Sequence, residues 1–94
     1  MIKADLINEI ALTTGYDKMT VSVVVESFME NVKKSLNKGE NVYLRGFGSF
    51  ITKTRKAKIA RNISKETSVP VPAHKIVAFK AGAELADEVR KLAV

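Results

Sequence analysis

The spacing of apolar positions along the chain changes in kind several times. In residues 3–13, Leu6, Ile7, Ile10 and Ala11 recur three and four residues apart, which gathers them on one face of a helix, and Gly15 stops the pattern. Beyond Asp17, a fitting N-cap, the stripe Val21, Val24, Val25, Phe28, Met29, Val32 and Leu36 predicts a second helix over about 18–38, ended by Gly39. Valines have poor helix propensity, so burial of this stripe has to supply the stability that the local sequence lacks. Residues 41–44 predict a short strand, and Gly46-Phe47-Gly48 a turn that opens a hairpin. From 52 to 61 the pattern alternates basic residues with Thr and Ala, leaving Ile59 as the bulky apolar side chain, and 69–79 predicts a returning strand after a polar connection at 62–67. Pro70 and Pro72 lie two apart, so their missing N–H groups face one side, which a strand tolerates at a free edge. Residues 52–75 therefore predict a two-stranded ribbon, an arm, with the prolines guarding against edge-to-edge pairing. Leu85, Ala86, Val89, Leu92 and Ala93 return to helical spacing over about 83–93, with acids early and Arg90 and Lys91 late, as the helix dipole favours.

Composition narrows the possibilities. Ninety-four residues at 46% apolar and 28% charged describe one folded domain, 1–94. With no cysteine and a single histidine, His74, no disulfide framework or metal cage is expected, and no cofactor is called for. No apolar run approaches the roughly 20 residues of a membrane span. The residues after Met1 do not form a secretory leader, so a cytoplasmic protein is expected. The net charge of +6 is unevenly placed. Residues 45–80 hold nine cations (Arg45, Lys53, Arg55, Lys56, Lys58, Arg61, Lys65, Lys75 and Lys80) against Glu66 alone, a net of +8, while each flanking segment is at −1. Such a concentration is the electrostatic footprint of a polyanion binder.

If the arm claims about 24 residues, about 70 remain for a body, a size at which one core is marginal and oligomerisation commonly completes it. A dimer is expected, with Phe47, Phe50, Phe79 and the second-helix residues Phe28 and Met29 as shared core. An arm strand of about 12 residues would reach roughly 40 Å, enough to follow a groove around a duplex. Such a ribbon has no core of its own, so its conformation is expected to couple to binding.

Other functions fit less well. A helix-turn-helix reader would set Glu26 and Glu30 of the second helix against phosphates. A general basic RNA module would offer aromatics to unstacked bases, and a membrane-surface helix would need Trp, Phe or Leu beside its lysines; residues 52–75 hold none of these. One carboxylate and one imidazole in the basic region make no acid–base site, so no enzyme and no small-molecule substrate are expected.

Gly46-Phe47-Gly48-Ser49-Phe50 before a basic strand, Arg61-Asn62 at its tip, and Ala78-Phe79-Lys80-Ala81-Gly82 before a last helix resemble the bacterial HU and integration-host-factor proteins over essentially the whole chain. The resemblance implies an α+β intertwined dimer with a helical body, a small antiparallel sheet and protruding ribbon arms that lie in the minor groove of double-stranded DNA and bend it. It implies a nucleoid-associated role in compaction, with a sequence-preferring bender of the integration-host-factor kind as the alternative. A homodimer is expected, and a heterodimer with a second subunit type is the other form. By the family pattern, Lys53, Arg55, Lys58 and Arg61 contact phosphate or groove, together with Lys56 and Lys65 of the same arm. Lys75 and Lys80 lie on the returning strand, Lys3 on the flank, and Asn62 with Ile63 at the wedge. The chain departs from the pattern at Ile63, where the family usually has proline, at Lys65-Glu66, where Thr-Gly is common, and at Ala83, where a basic residue is common.

Overall fold

The structure, a computed structural model, describes residues 1–62 and 67–93, giving the backbone alone for 60–62 and 67–68. The chain divides into two compact units, residues 1–35 and 36–94.

The first unit holds helix α1 (Lys3–Thr14) and most of helix α2 (Lys18–Asn37). At the start of α1 the Ile2 amide donates to Asp5 Oδ2 at 2.9 Å, which satisfies a donor that the helix cannot. Gly15 ends the helix at φ 81°, a left-handed conformation costly for any residue with a Cβ, and its amide bonds Ala11 O at 2.9 Å. Asp17 caps α2 as expected. Its carboxylate accepts from the Thr20 hydroxyl at 2.6 Å and the Thr20 amide at 3.2 Å, and these bonds, the hydroxyl's first, hold its pKa below the ordinary carboxylate value.

The second unit is built on a three-stranded antiparallel sheet of β1 (Val42–Leu44), β2 (Gly48–Arg55) and β5 (His74–Ala81), with β2 in the middle. A separate two-stranded ladder pairs β3 (Lys58–Asn62) with β4 (Thr67–Val71), and helix α3 (Ala83–Arg90) follows β5. The turn into β2 closes with the Phe47 amide on Leu44 O at 3.0 Å, and Gly46 takes the positive φ of 81° that its third position requires. Gly48 is needed for space instead. A Cβ there would stand 2.5 Å from Phe79 Cζ and 2.6 Å from Lys80 O, so the glycine pair serves two purposes, where the sequence suggested one.

Two expectations need correction. The arm strands are interrupted: β2 stops at Arg55 and β3 resumes at Lys58, while β4 stops at Val71 and β5 begins at His74. Pro70 sits within its ladder opposite Ile59, but Pro72 lies in the interruption, having no N–H with which to continue the pairing. Helix α3 ends at Arg90 rather than 93, because Lys91 and Leu92 bond back three residues, to Glu88 O and Val89 O, and tighten the turn. The residues expected to form a shared core are left open by a single chain, in keeping with the expectation of a dimer. Phe47 and Phe50 pack on Phe79 with ring centroids 5.3 and 5.0 Å apart, yet Phe79 stays 44% exposed, Phe47 49% and, on α2, Phe28 46%. Met29 is half-buried. Among the described apolar residues, Ala11 and Val21 alone are buried.

Candidate nucleic-acid interface

Residues directly opposite in an antiparallel ladder share a face, and alternate residues of a strand do likewise, so the register sorts the cations. Val42 pairs with Phe50 and Tyr43 with Ser49; Ser49 pairs with Lys80, Ile51 with Ala78, Lys53 with Ile76, and Arg55 with His74. One face of the sheet thus carries Tyr43, Ser49, Lys53, Arg55, His74 and Lys80, with Ile51, Ile76 and Ala78 half-buried between them. The other face carries Val42, Leu44, Phe50, Phe79 and Val77, with Thr52, Thr54 and Lys75 farther along. Strand parity thus sets Lys53, Arg55 and Lys80 on one face and the aromatic Phe50 and Phe79 on the other, with Lys75 the cation that falls on the aromatic side.

Beyond Phe50 strand β1 has no further partner to offer, and the sheet narrows to the two strands β2 and β5. The amide this frees at Thr52 donates to Asn41 Oδ1 at 3.1 Å, while Asn41 Nδ2 lies 3.3 Å from Tyr43 Oη. A side chain thereby finishes the ladder where the third strand ends, and the ribbon leaves with no unpaired amide at that point.

The sequence-predicted residues are placed unequally. Lys53, Arg55 and Lys80 share one face, and Lys75, opposite Thr54, lies on the reverse. Lys56 occupies the interruption between β2 and β3, and Lys58 stands opposite Val71. All six of these side chains are exposed. Ion pairs form elsewhere, at Lys3–Glu26, Lys33–Glu30 and Arg90–Asp87, and none of the six joins a salt bridge among the described residues. Backbone pairing sets Arg61 opposite Ser68 and Asn62 opposite Thr67. Ile63 and Lys65 lie outside the described residues. Lys3 is tied to Glu26 on α2, with both side chains about half exposed, so its charge is partly answered already. His74 Nδ1 lies 3.0 Å from Pro72 O, at the interruption.

Sequence reasoning missed Tyr43, Ser49 and Asn41. Parity counted back from Lys53 reaches Ser49 without a structure, but carrying it across the Gly46 turn to Tyr43 needs the register. No helix among the described residues is long and apolar enough to cross a membrane.

Comparison with known proteins bears on this surface. A family model described as bacterial DNA-binding protein matches residues 1–90. The chain is 40% identical over 90 residues to DNA-binding protein HU of Staphylococcus aureus, spanning 96% of this chain and 100% of that one. It is 36% identical over 94 residues to integration host factor subunit alpha of Actinobacillus pleuropneumoniae, spanning 100% and 96%. Among solved structures, an Anabaena HU–DNA cocrystal matches with a TM-score of 0.90 at 29% identity, over 98% of this chain and 100% of that one. HU from Thermotoga maritima matches at 0.67 and 28%, over 95% and 98%. Exposed ribbon cations that join no salt bridge among the described residues, on a chain whose residues 1–90 fit the family model and which its relatives match over 95–100% of its length, place it in the bacterial DNA-binding protein family of HU and integration host factor.

Proposed function

We infer that this protein is an architectural, non-enzymatic binder of double-stranded DNA that acts as a dimer and bends its duplex. The observation that carries the reading is the ribbon and the sheet it continues: six exposed cations that join no salt bridge among the described residues, on strands that bury little. A cation without a protein partner is available to neutralise a phosphate, and the counterion thereby released makes binding favourable and salt-dependent. Lys53, Arg55 and Lys80 are the cations of the sheet face, Lys56 and Lys58 extend the line along the arm, and Lys75 reaches the opposite wall of the groove. Arg61, Asn62, Lys65 and the wedge Ile63 are assigned to the tip from the sequence, and Lys3 to the flank. The half-exposed Phe28, Phe47 and Phe79, with Met29 and Phe50, are residues that a second copy covers, since rings of this size are seldom left in water. Residues 1–94 act as one DNA-binding domain with its arm at about 52–75, in the cytoplasm and on the nucleoid.

Ring closure of a duplex shorter than the roughly 150 bp persistence length tests this directly, because a bender raises the yield of small circles. The expected result is enhanced closure that is lost when Lys53, Arg55 and Lys58 become alanine. Closure no faster than in free DNA would refute bending. Undiminished closure by the triple variant would move the interface off the ribbon. Ile63→Ala should reduce closure more than affinity, and equal losses of both would remove the wedge role.

A further inference from the structure

The ribbon leaves the sheet at a point that a side chain, not a strand, secures. Strand β1 pairs with β2 from Leu44–Gly48 to Val42–Phe50 and no farther, while β2 runs on to Arg55 against β5 alone. Just past Phe50 the Thr52 amide donates to Asn41 Oδ1 at 3.1 Å, a bond between residues 11 apart in sequence. Asn41 Nδ2 lies 3.3 Å from Tyr43 Oη. An amide side chain has one donor end and one acceptor end, and a donor end taken by the Tyr43 oxygen leaves the acceptor end for Thr52. Asn41 and Tyr43 are both exposed, so water would satisfy the Thr52 amide if Asn41 did not. The bond therefore adds little to stability, and its effect lies in direction.

Two-stranded ribbons twist more strongly than wider sheets. By tying Thr52 to the end of β1, Asn41 holds β2 to the geometry of the three-stranded sheet for two residues past Phe50, so the stronger twist begins later. The arm continues about ten residues beyond Thr52, roughly 33 Å of extended chain, and a turn of about 10° at its root moves its far end by about 6 Å. Phosphates of one DNA strand follow one another about 3.4 Å along the axis, so a shift of that size carries an arm cation from one phosphate past the next. We propose that Asn41 is a positioning residue for DNA bending: its side chain, oriented by Tyr43, sets the direction in which the arm leaves the sheet, and so the bend that the arms impose, without touching DNA itself. This rests on the DNA-bending reading above.

The test compares the full chain with Asn41→Ala, Asn41→Asp and Tyr43→Phe. Three quantities are read: ring closure of a short duplex at saturating protein, the salt slope of binding, and the denaturation midpoint. One hydrogen bond of ordinary net strength biases an equilibrium about fivefold, so closure by Asn41→Ala should fall by up to about that factor. Its salt slope and midpoint should stay near those of the unaltered protein, because the cations and the packed rings are untouched. Aspartate keeps an acceptor for the Thr52 amide and accepts from the Tyr43 hydroxyl, so Asn41→Asp should close circles like the unaltered protein. Tyr43→Phe should fall between the two, and full closure by that variant would remove Tyr43 from the role. An Asn41→Asp variant no better than Asn41→Ala would overturn the proposal, since a carboxylate keeps the bond to Thr52 but repels any phosphate that Asn41 touched. Undiminished closure by Asn41→Ala would overturn it too. So would a loss that follows a lowered midpoint and disappears on cooling, which would make Asn41 a prop for the sheet. Failure of the unaltered protein itself to raise closure would reject the bending reading and not this inference alone.

Discussion

Replacing both Lys53 and Arg55 with alanine tests the phosphate account most directly. The two lie two residues apart on one strand, roughly 7 Å, and share the cationic face of the sheet. Neither is paired with an acid among the described residues, so their removal breaks no internal ion pair. A dimer loses four cations, and with about 0.9 counterions released per phosphate contact the slope of log K against log salt should become shallower by about 3.6. Between about 50 and 200 mM salt that difference amounts to about 150-fold, so the variant's deficit should be largest at low salt and shrink by that factor at the higher concentration. Fluorescence anisotropy of a labelled duplex across a salt series reads the slope. Lys33→Ala with Lys34→Ala on α2 is the matched control, removing the same number of charges from another element, and should leave the slope in place. A ribbon variant whose slope equals that of the unaltered protein would show that Lys53 and Arg55 do not meet phosphates, whatever happens to the affinity.

Other consequences concern the body. Gly48→Ala forces a methyl into Phe79 and the Lys80 carbonyl, an overpacking that should cost about 1–3 kcal/mol in a denaturant titration; an unchanged midpoint would mean that the sheet yields freely there. Phe79→Ala removes both ring contacts at once and should destabilise by about 3 kcal/mol, with a melting temperature that depends more steeply on protein concentration if the ring also meets a second copy. The capping carboxylate of Asp17 has a pKa lowered by its bonds to Thr20, so its contribution is present above its unfolded pKa and is lost as pH falls through the lower folded value. Asp17→Asn should accordingly flatten the acid limb of the stability curve below about pH 4, the ordinary carboxylate range, and a limb identical to that of the unaltered protein would assign it to other acids.

Much of this molecule is legible in its sequence because its signals are local. Helical periodicity placed α1 and α2 within a residue or two, Gly15 and Asp17 announced the helix boundaries, and an excess of cations confined to 45–80 marked the candidate binding surface before any strand was paired. Those features depend on backbone sterics and on charge, which neighbours in sequence determine. Register is different. That Lys75 turns away from Lys53, Arg55 and Lys80, that Tyr43 joins them, and that Pro72 breaks the ladder while Pro70 rides in it all follow from which residue stands opposite which. The β2–β5 pairing brings together residues 19 to 33 apart in sequence, and only tertiary structure fixes it. The core was half legible for a related reason. Apolar spacing showed that Phe28, Phe47 and Phe79 want cover, but the fold of one chain decides how much cover it can give, and ninety-four residues with an arm to supply leave these rings half in water.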